Sequence, residues 1–416
     1  MFRVVFFTFI MIITLQAKKC SFCHEKEAKS CKNSIHYTLK KAINITRKAW
    51  GIEDSNVTLQ TLPLPKKDIN SPKDLVDDFL RRKCLKCHID IKKSEGCLSC
   101  HNRHDKKGNY HKAKTSMKKC LKCHNKEYIG TDYKGWFPKD FAKSYRAPLN
   151  KKGYFPPTKY GIDYHHLSED IHYKAGLKCS DCHKDLQFSS KKANCKDCHK
   201  NPSSKNHPSY HKKIECIACH ASWQINSYEL SVFRDDTPSY DKWKRLMMQE
   251  DIYLQNFLQK ALKQKKKPLP MMPDWVSRKL KRGIWYSGYR YRRWEDFYLA
   301  NDKSDGKIKL FRPLYQYRIS YKDKNGKMVL DDVNKIGGKN IEVWIAYYPH
   351  TIGKYAKSCE MCHNNPLVLQ QKKSNQNLAS DLKLPNHLYN ATPLTKEQIQ
   401  KLHSKKFKKI RAKLLF

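Results

Sequence analysis

The sequence is short of acid. It has 39 Asp and Glu against 84 Lys and Arg, a formal net charge of +45, with a pI near 9.7. Apolar side chains are also scarce, 39% of 416 residues, and the mean hydropathy is -0.82. A chain of this length has room for two or three ordinary domains. So little apolar surface does not fill their cores, and by composition alone it points to disorder. Long apolar runs are missing too: the one present, Val4 to Leu15, is too short to cross a bilayer. The positive charge comes without a nucleic-acid-binding motif, and the lysines are spread rather than gathered. That excludes the nucleic-acid reading. Most of this lysine is solvated surface, and its field draws small anions or an acidic partner.

What the sequence has is cysteine in a fixed pattern. Cys-x-x-Cys-His occurs eight times. The first four copies are Cys20, Cys23 and His24; Cys84, Cys87 and His88; Cys97, Cys100 and His101; and Cys120, Cys123 and His124. The last four are Cys179, Cys182 and His183; Cys195, Cys198 and His199; Cys216, Cys219 and His220; and Cys359, Cys362 and His363. Every cysteine but Cys31 is used. Two thiols three residues apart on a helical turn reach the two vinyl groups along one porphyrin edge, and the next residue, His, meets the iron as proximal ligand. Structural zinc also uses paired cysteines, but does not need a His after each second one. Disulfide pairing would not favour this spacing either. The expectation is eight covalent c-type haems, wrapped by a polypeptide that does not fold without them.

Nineteen histidines minus the eight in motifs leaves eleven. The expected distal ligands are His36, His111, His166 (or His165), His172, His207, His211 and His350. His104 is a spare, and His387 and His403 lie in the tail. Arg3, the apolar run and Ala17 read as a secretion signal cleaved near Ala17, so the expected location is periplasmic or extracellular. That agrees with haem attachment outside the bacterial cytoplasm.

Along the chain, Glu25 to Lys41 reads as helix, 51 to 73 as a loop, and Asp74 to Arg82 as an amphipathic helix leading into the second motif. Asp241 to Leu262 has helical periodicity through Trp243, Met247, Leu254 and Leu258. The aromatic-basic run Trp285 to Trp294 is either structural packing or the lining of an anion channel. Tyr315, Tyr317, Ile319 and Tyr321 alternate with polar residues, Asn325-Gly326 marks a turn, and Ile341 to Tyr347 alternates again. Thr395 to Gln398 is a capping box opening a basic amphipathic helix. That helix docks on the protein's own surface or makes a peripheral membrane contact. The expected fold class is mainly α with long loops, a multihaem cytochrome c fold with a haem-dominated core and a small β element before the last haem. The expected divisions are 1–17 signal, 18–225 haem region, 226–349 haem-free insertion, and 350–416 eighth haem and basic helix.

The spacing of the motifs and the long gap before the last resemble the octahaem tetrathionate reductase family, related to hydroxylamine oxidoreductase. The segments that carry this are CSFCHEKEAKSCKNSIHYT, CLSCH, DIHYKAGLKCSDCH, HKKIECIACH and PHTIGKYAKSCEMCH. The resemblance implies seven haems with two His ligands each and an active haem at the second motif, Cys84, Cys87 and His88, with a distal Lys. Lys106 or Lys107 is the candidate. It implies multi-electron reduction of small sulfur or nitrogen compounds: tetrathionate, nitrite, hydroxylamine or sulfite. The donor would be a small cytochrome or a quinol-linked membrane complex. One departure stands out. The family's extra cysteine ahead of the second motif is replaced by Phe79-Leu80, and the spare thiol here is Cys31. The alternative is an electron-transfer cytochrome with two His ligands at every haem.

Overall fold

The computed structural model describes residues 24–54, 56–83, 116–124, 129–138, 164–166, 168–184, 192–200, 207, 211–222, 226–237, 259–260, 263–265, 271–273, 280–292, 297–365, 367–369 and 384–403. The signal segment and most of the helix expected at 241–262 lie outside them. So do several expected site residues: Cys20 and Cys23 of the first motif, Cys84, Cys87 and His88 of the second, Cys97, Cys100 and His101 of the third, and His104, Lys106, Lys107 and His111.

In chain order the helices are α1 (Glu25–Lys32), α2 (Ile35–Thr38), α3 (Lys40–Ala49), α4 (Pro72–Lys83), α5 (Met117–His124), α6 (Ile129–Tyr133), α7 (Ile171–Lys174), α8 (Cys179–Cys182), α9 (Cys195–Cys198), α10 (Cys216–His220), α11 (Cys359–His363) and α12 (Lys396–Leu402). The strands are β1 (Trp136–Pro138), β2 (Tyr164–His166), β3 (Asn226–Asp235), β4 (Met271–Pro273), β5 (Leu280–Arg282), β6 (Ile284–Arg292), β7 (Tyr298–Asp302), β8 (Ile308–Lys322), β9 (Met328–Val333), β10 (Lys335–Ile336), β11 (Lys339–Asn340), β12 (Glu342–Ala346) and β13 (Ala391–Pro393).

The expectation of a mainly α fold is wrong. Seven strands form one mixed sheet in the order β13-β7-β8-β3-β6, with β12 and β9 also paired to β8. Its axis is β8, 15 residues long. Along it Tyr317, Ile319 and Tyr321 are buried while Arg318 is exposed, the period-2 signal of a half-buried strand. Its parallel partner is β3, and its other partners run antiparallel. The alternation at 315–321 and 341–347 reveals two strands. What it hides is β3 and β6, which pair along nine positions from Asn226↔Arg292 to Asp235↔Ile284. The aromatic-basic run is therefore largely strand β6, with Trp285 buried in the core and Tyr286 packed against it. The helix expected from Glu25 to Lys41 is also interrupted. Asn33 and Ser34, which compete for backbone hydrogen bonds, end α1, and Leu39 takes a left-handed φ of 50° between α2 and α3.

The first helices pack on the sheet. Leu75, Val76, Phe79 and Leu80 line one face of α4 and meet Trp50, Ile43, Trp285, Tyr317 and Ile319 in one buried cluster. Trp50 stacks on Phe79 with ring centres 5.2 Å apart. One core therefore spans both sides of the expected division at 225. Beside it lies a closed ionic network. Arg234 donates Nε and Nη2 to the two oxygens of Asp236, each at 2.9 Å, and Nη1 to Asp78 at 3.1 Å. Trp285 donates to Asp78 at 3.2 Å and Tyr321 to Asp236 at 3.2 Å. Paired on every side, these buried charges escape the desolvation cost of a lone ion. They fasten α4, which ends one residue before Cys84, to the sheet.

A second cluster joins α10, the sheet and the C-terminus: Ala218, Phe297, Leu299, Leu310, Tyr347, Val368 and Leu394, with Ile399 and Leu402 against it. The capping box at Thr395 forms as expected. The described turns of α12 thus pack on the protein itself. Among the described residues no helix is long and apolar enough to cross a membrane.

Candidate metal centres

Each described motif forms one tight helical turn. In α8, His183 N donates to Cys179 O at 3.0 Å, and Asp181 accepts from Lys178 N at 2.7 Å. In α9, His199 N donates to Cys195 O at 2.8 Å, and Asp197 accepts from Asn194 N at 2.8 Å. The acid between the cysteines caps the turn. Positions i, i+3 and i+4 share a helix face, so both thiols and the imidazole of a motif project from one side.

Five motif histidines each face a second histidine. His124 faces His36 with ring centres 6.3 Å apart, and His199 faces His172 at 6.2 Å. His183 faces His350 at 6.2 Å, His220 faces His207 at 6.1 Å, and His363 faces His211 at 6.3 Å. Interplanar angles range from 19° to 88°. Ring contacts without a histidine spread from 4.9 to 6.1 Å among the described residues, whereas these five keep to 6.1–6.3 Å whatever the angle. Two imidazoles bound at about 2 Å to opposite sides of one ion have ring centres about 6 Å apart at any rotation. The pairs fit one ion each, with two axial ligands.

The outer nitrogens agree. His172 Nδ1 is bonded to Asp170 Oδ1 at 2.9 Å. Asp170 is buried and also accepts from His172 N at 2.9 Å and from Ile352 N at 2.6 Å. His363 Nδ1 meets Leu402 O at 3.1 Å, and His220 Nδ1 meets Gly353 O at 3.4 Å. Fixing Nδ1 leaves Nε2 for a metal, the usual orientation of ligating histidines. Burial pushes the His350 imidazole down to about 4, helped by His183. Burial likewise lowers His183, His211 and His363. Neutral imidazole is the form that ligates. No group of three or more His, Cys, Asp or Glu converges among the described residues.

The thiols set the centres side by side. Cys120 and Cys179 lie close enough to shift one another's thiol, as do Cys195 and Cys216. Cys123, half-buried in α5 beside His124, acts on Cys120 through its charge. Cys182 feels the charge of Cys198, and Cys219 that of Cys359. The fourth to eighth motifs are therefore neighbours in chain order.

Of the seven expected distal residues the structure sets five opposite motif histidines. His166 and His165 lie in β2, in register with Trp136 and Phe137, and His111 is outside the described residues. Among the first three motifs only His24 is described, ahead of α1. The attachment expected at Cys97 and Cys100, and the proximal role expected of His101, fall outside the described residues. Cys31 is half-buried in α1. Sequence reasoning missed Asp170 and Lys357. Asp170 was readable as an acid two residues before a candidate ligand in the string DIH. Lys357 had no local signal. No protein-family model, curated protein or solved structure matches the chain.

Proposed function

We propose that the chain is an exported octahaem c-type cytochrome that reduces small sulfur or nitrogen compounds at one centre and uses the others as an electron relay. The single observation that carries this is the set of five histidine pairs at 6.1–6.3 Å, each built from one Cys-x-x-Cys-His motif and one distant histidine. The thiols of each motif would anchor the porphyrin, and the paired imidazoles would hold its iron. Bound haem supplies reversible one-electron chemistry, tuned by its axial ligands and surroundings. The protein's part is to place, orient and seal the centres. Asp170, Gly353 and Leu402 orient the ligating rings.

With two imidazoles holding each, the five described centres would have no place left for a substrate. They serve electron transfer. The reducing site would be at the second motif, Cys84, Cys87 and His88, where the resemblance to octahaem tetrathionate reductases sets the active haem, with Lys106 or Lys107 as distal ligand. Surface lysine would draw the anion in. The five axial pairs favour one second reading, an electron carrier with two His ligands at every haem.

Haem-loaded protein, given a reduced dye and tetrathionate, nitrite, hydroxylamine or sulfite, tests the choice. Dye oxidation with any of them, alongside a high-spin or Lys-ligated ferric signal, supports the reductase. Rapid dye oxidation by a protein electron acceptor alone, with every iron low-spin, supports the carrier. A protein without a Soret band defeats both.

A further inference from the structure

Two side chains of opposite charge flank neighbouring centres. Asp170, 2% exposed, binds the Nδ1 of His172 at 2.9 Å. Lys357 lies two residues before Cys359, and its backbone N–H donates to Cys219 O at 2.8 Å. Its Nζ is sealed from solvent and has no hydrogen-bond partner among the described residues. It sits 4.6 Å from the centre of the Phe297 ring. A buried ammonium without a counter-ion is costly. Burial lowers its affinity for the proton to about 8, while Cys362 and Cys219 pull the other way.

Resting on the haem reading, we propose that Asp170 and Lys357 set a step in potential between the sixth and seventh centres, so that electrons run from the His172/His199 pair toward the His207/His220 pair. A carboxylate that accepts the outer N–H of an axial imidazole makes that ligand more basic and favours the oxidised iron. At the seventh centre the outer nitrogen of His220 meets a neutral carbonyl, Gly353 O at 3.4 Å. There Lys357, close to Cys219, favours the form that has gained an electron, in surroundings where charges act strongly. The other charges near the two centres do not reverse the order. Lys196 and Lys200 beside the sixth are exposed and screened by water. Glu215 at the start of α10 lies near Lys309 and Lys192. Lys357 also acts on the eighth centre through Cys362, where Glu360 beside His363 opposes it, so the step still stands between the sixth centre and the seventh. Each transfer removes one electron from the sixth centre, which is oxidised, and delivers it to the seventh, which is reduced. No proton or further reactant is needed.

The test is potentiometric titration of the haem-loaded protein followed by low-temperature electron paramagnetic resonance. The two centres have different ring angles, 65° for His172/His199 and 25° for His207/His220, so their ferric signals separate. Asp170→Asn keeps one of the two oxygens that accept from His172 N and Ile352 N, removes the negative charge, and should move the sixth midpoint up. Lys357→Met should move the seventh down, Lys357→Arg should hold it, and Lys354→Met on the exposed surface nearby should change neither. Unchanged midpoints in both Asp170→Asn and Lys357→Met, with eight haems bound, overturn the proposal, as does a shift of opposite sign. Failure of the haem reading itself looks different: the unmodified protein would have no redox-active centre to titrate.

Discussion

The two halves of the molecule are stabilised by different things. From Glu25 to Lys83 and from β3 to β12, buried aromatic and aliphatic side chains make a continuous core, and the charges inside it are paired. From residue 84 to 220 the described residues include one buried apolar side chain, Ala218. Their ordered features are single helical turns and histidine pairs held about an ion's width apart. At roughly 25 cal/mol per Å² of apolar area buried, the first half has a driving force of its own, and the described residues of the second supply little. On the haem reading the porphyrins are the missing core. The largest expected effect follows. If the full chain is made where haem cannot be attached, residues 84–220 lose protection from proteolysis and hydrogen exchange while the sheet and α3–α4 keep theirs. Uniform protection across both halves would end the comparison.

The next test works from the other side. Phe79 is 3% exposed and packs between Trp50 and Trp285. Phe79→Ala should cost about 3–5 kcal/mol, seen as a lower denaturant midpoint for the sheet. The haem spectrum of folded protein should stay unchanged. His350→Ala should do the reverse. On the haem reading one low-spin centre would become high-spin, because His183 would lose the partner ring at 6.2 Å, while the denaturant midpoint of the sheet stays put. A sheet midpoint that follows His350→Ala as closely as Phe79→Ala would mean that one cooperative unit spans both halves.

The same division governs what could be read in advance. Motif number creates a demand for distal ligands, and few histidines are left to meet it, so His36, His172, His207, His211 and His350 stand out in the sequence. Which motif each one faces does not. His36 follows the first motif and faces the fourth motif's His124; His350 precedes the eighth and faces the fifth's His183. Contacts that cross between motifs distant in the chain leave no trace in sequence spacing. The sheet is legible only where one face is buried and the other wet, as at Tyr317 to Tyr321. Strand β3, NSYELSVFRD, has no clean alternation, and the Asp78–Arg234 pair joins residues 156 apart. The mainly α expectation fails because a low apolar fraction averaged over the whole chain conceals a conventional sheet-and-helix core in part of it.

The smallest effect probes an element that touches both the sheet-side cluster and a motif histidine. Helix α12 packs Ile399 and Leu402 on the sheet-side cluster, and its last carbonyl, Leu402 O, accepts from His363 Nδ1 at 3.1 Å. Thr395 starts it by accepting from Gln398 N at 3.2 Å, while Gln398 Oε1 accepts from Thr395 N at 2.7 Å and Gln398 Nε2 donates to Asn301 on β7. Thr395→Ala removes one capping acceptor, worth about 1 kcal/mol, from a helix of seven residues. That is too little to melt the sheet but enough to fray the helix. Hydrogen exchange should quicken at 396–402 alone. On the haem reading the ferric signal of the His211/His363 centre should broaden, because His363 loses the acceptor that fixes its rotation. The other four pairs should keep their signals. Broadening without faster exchange would mean that His363 is oriented by something other than Leu402.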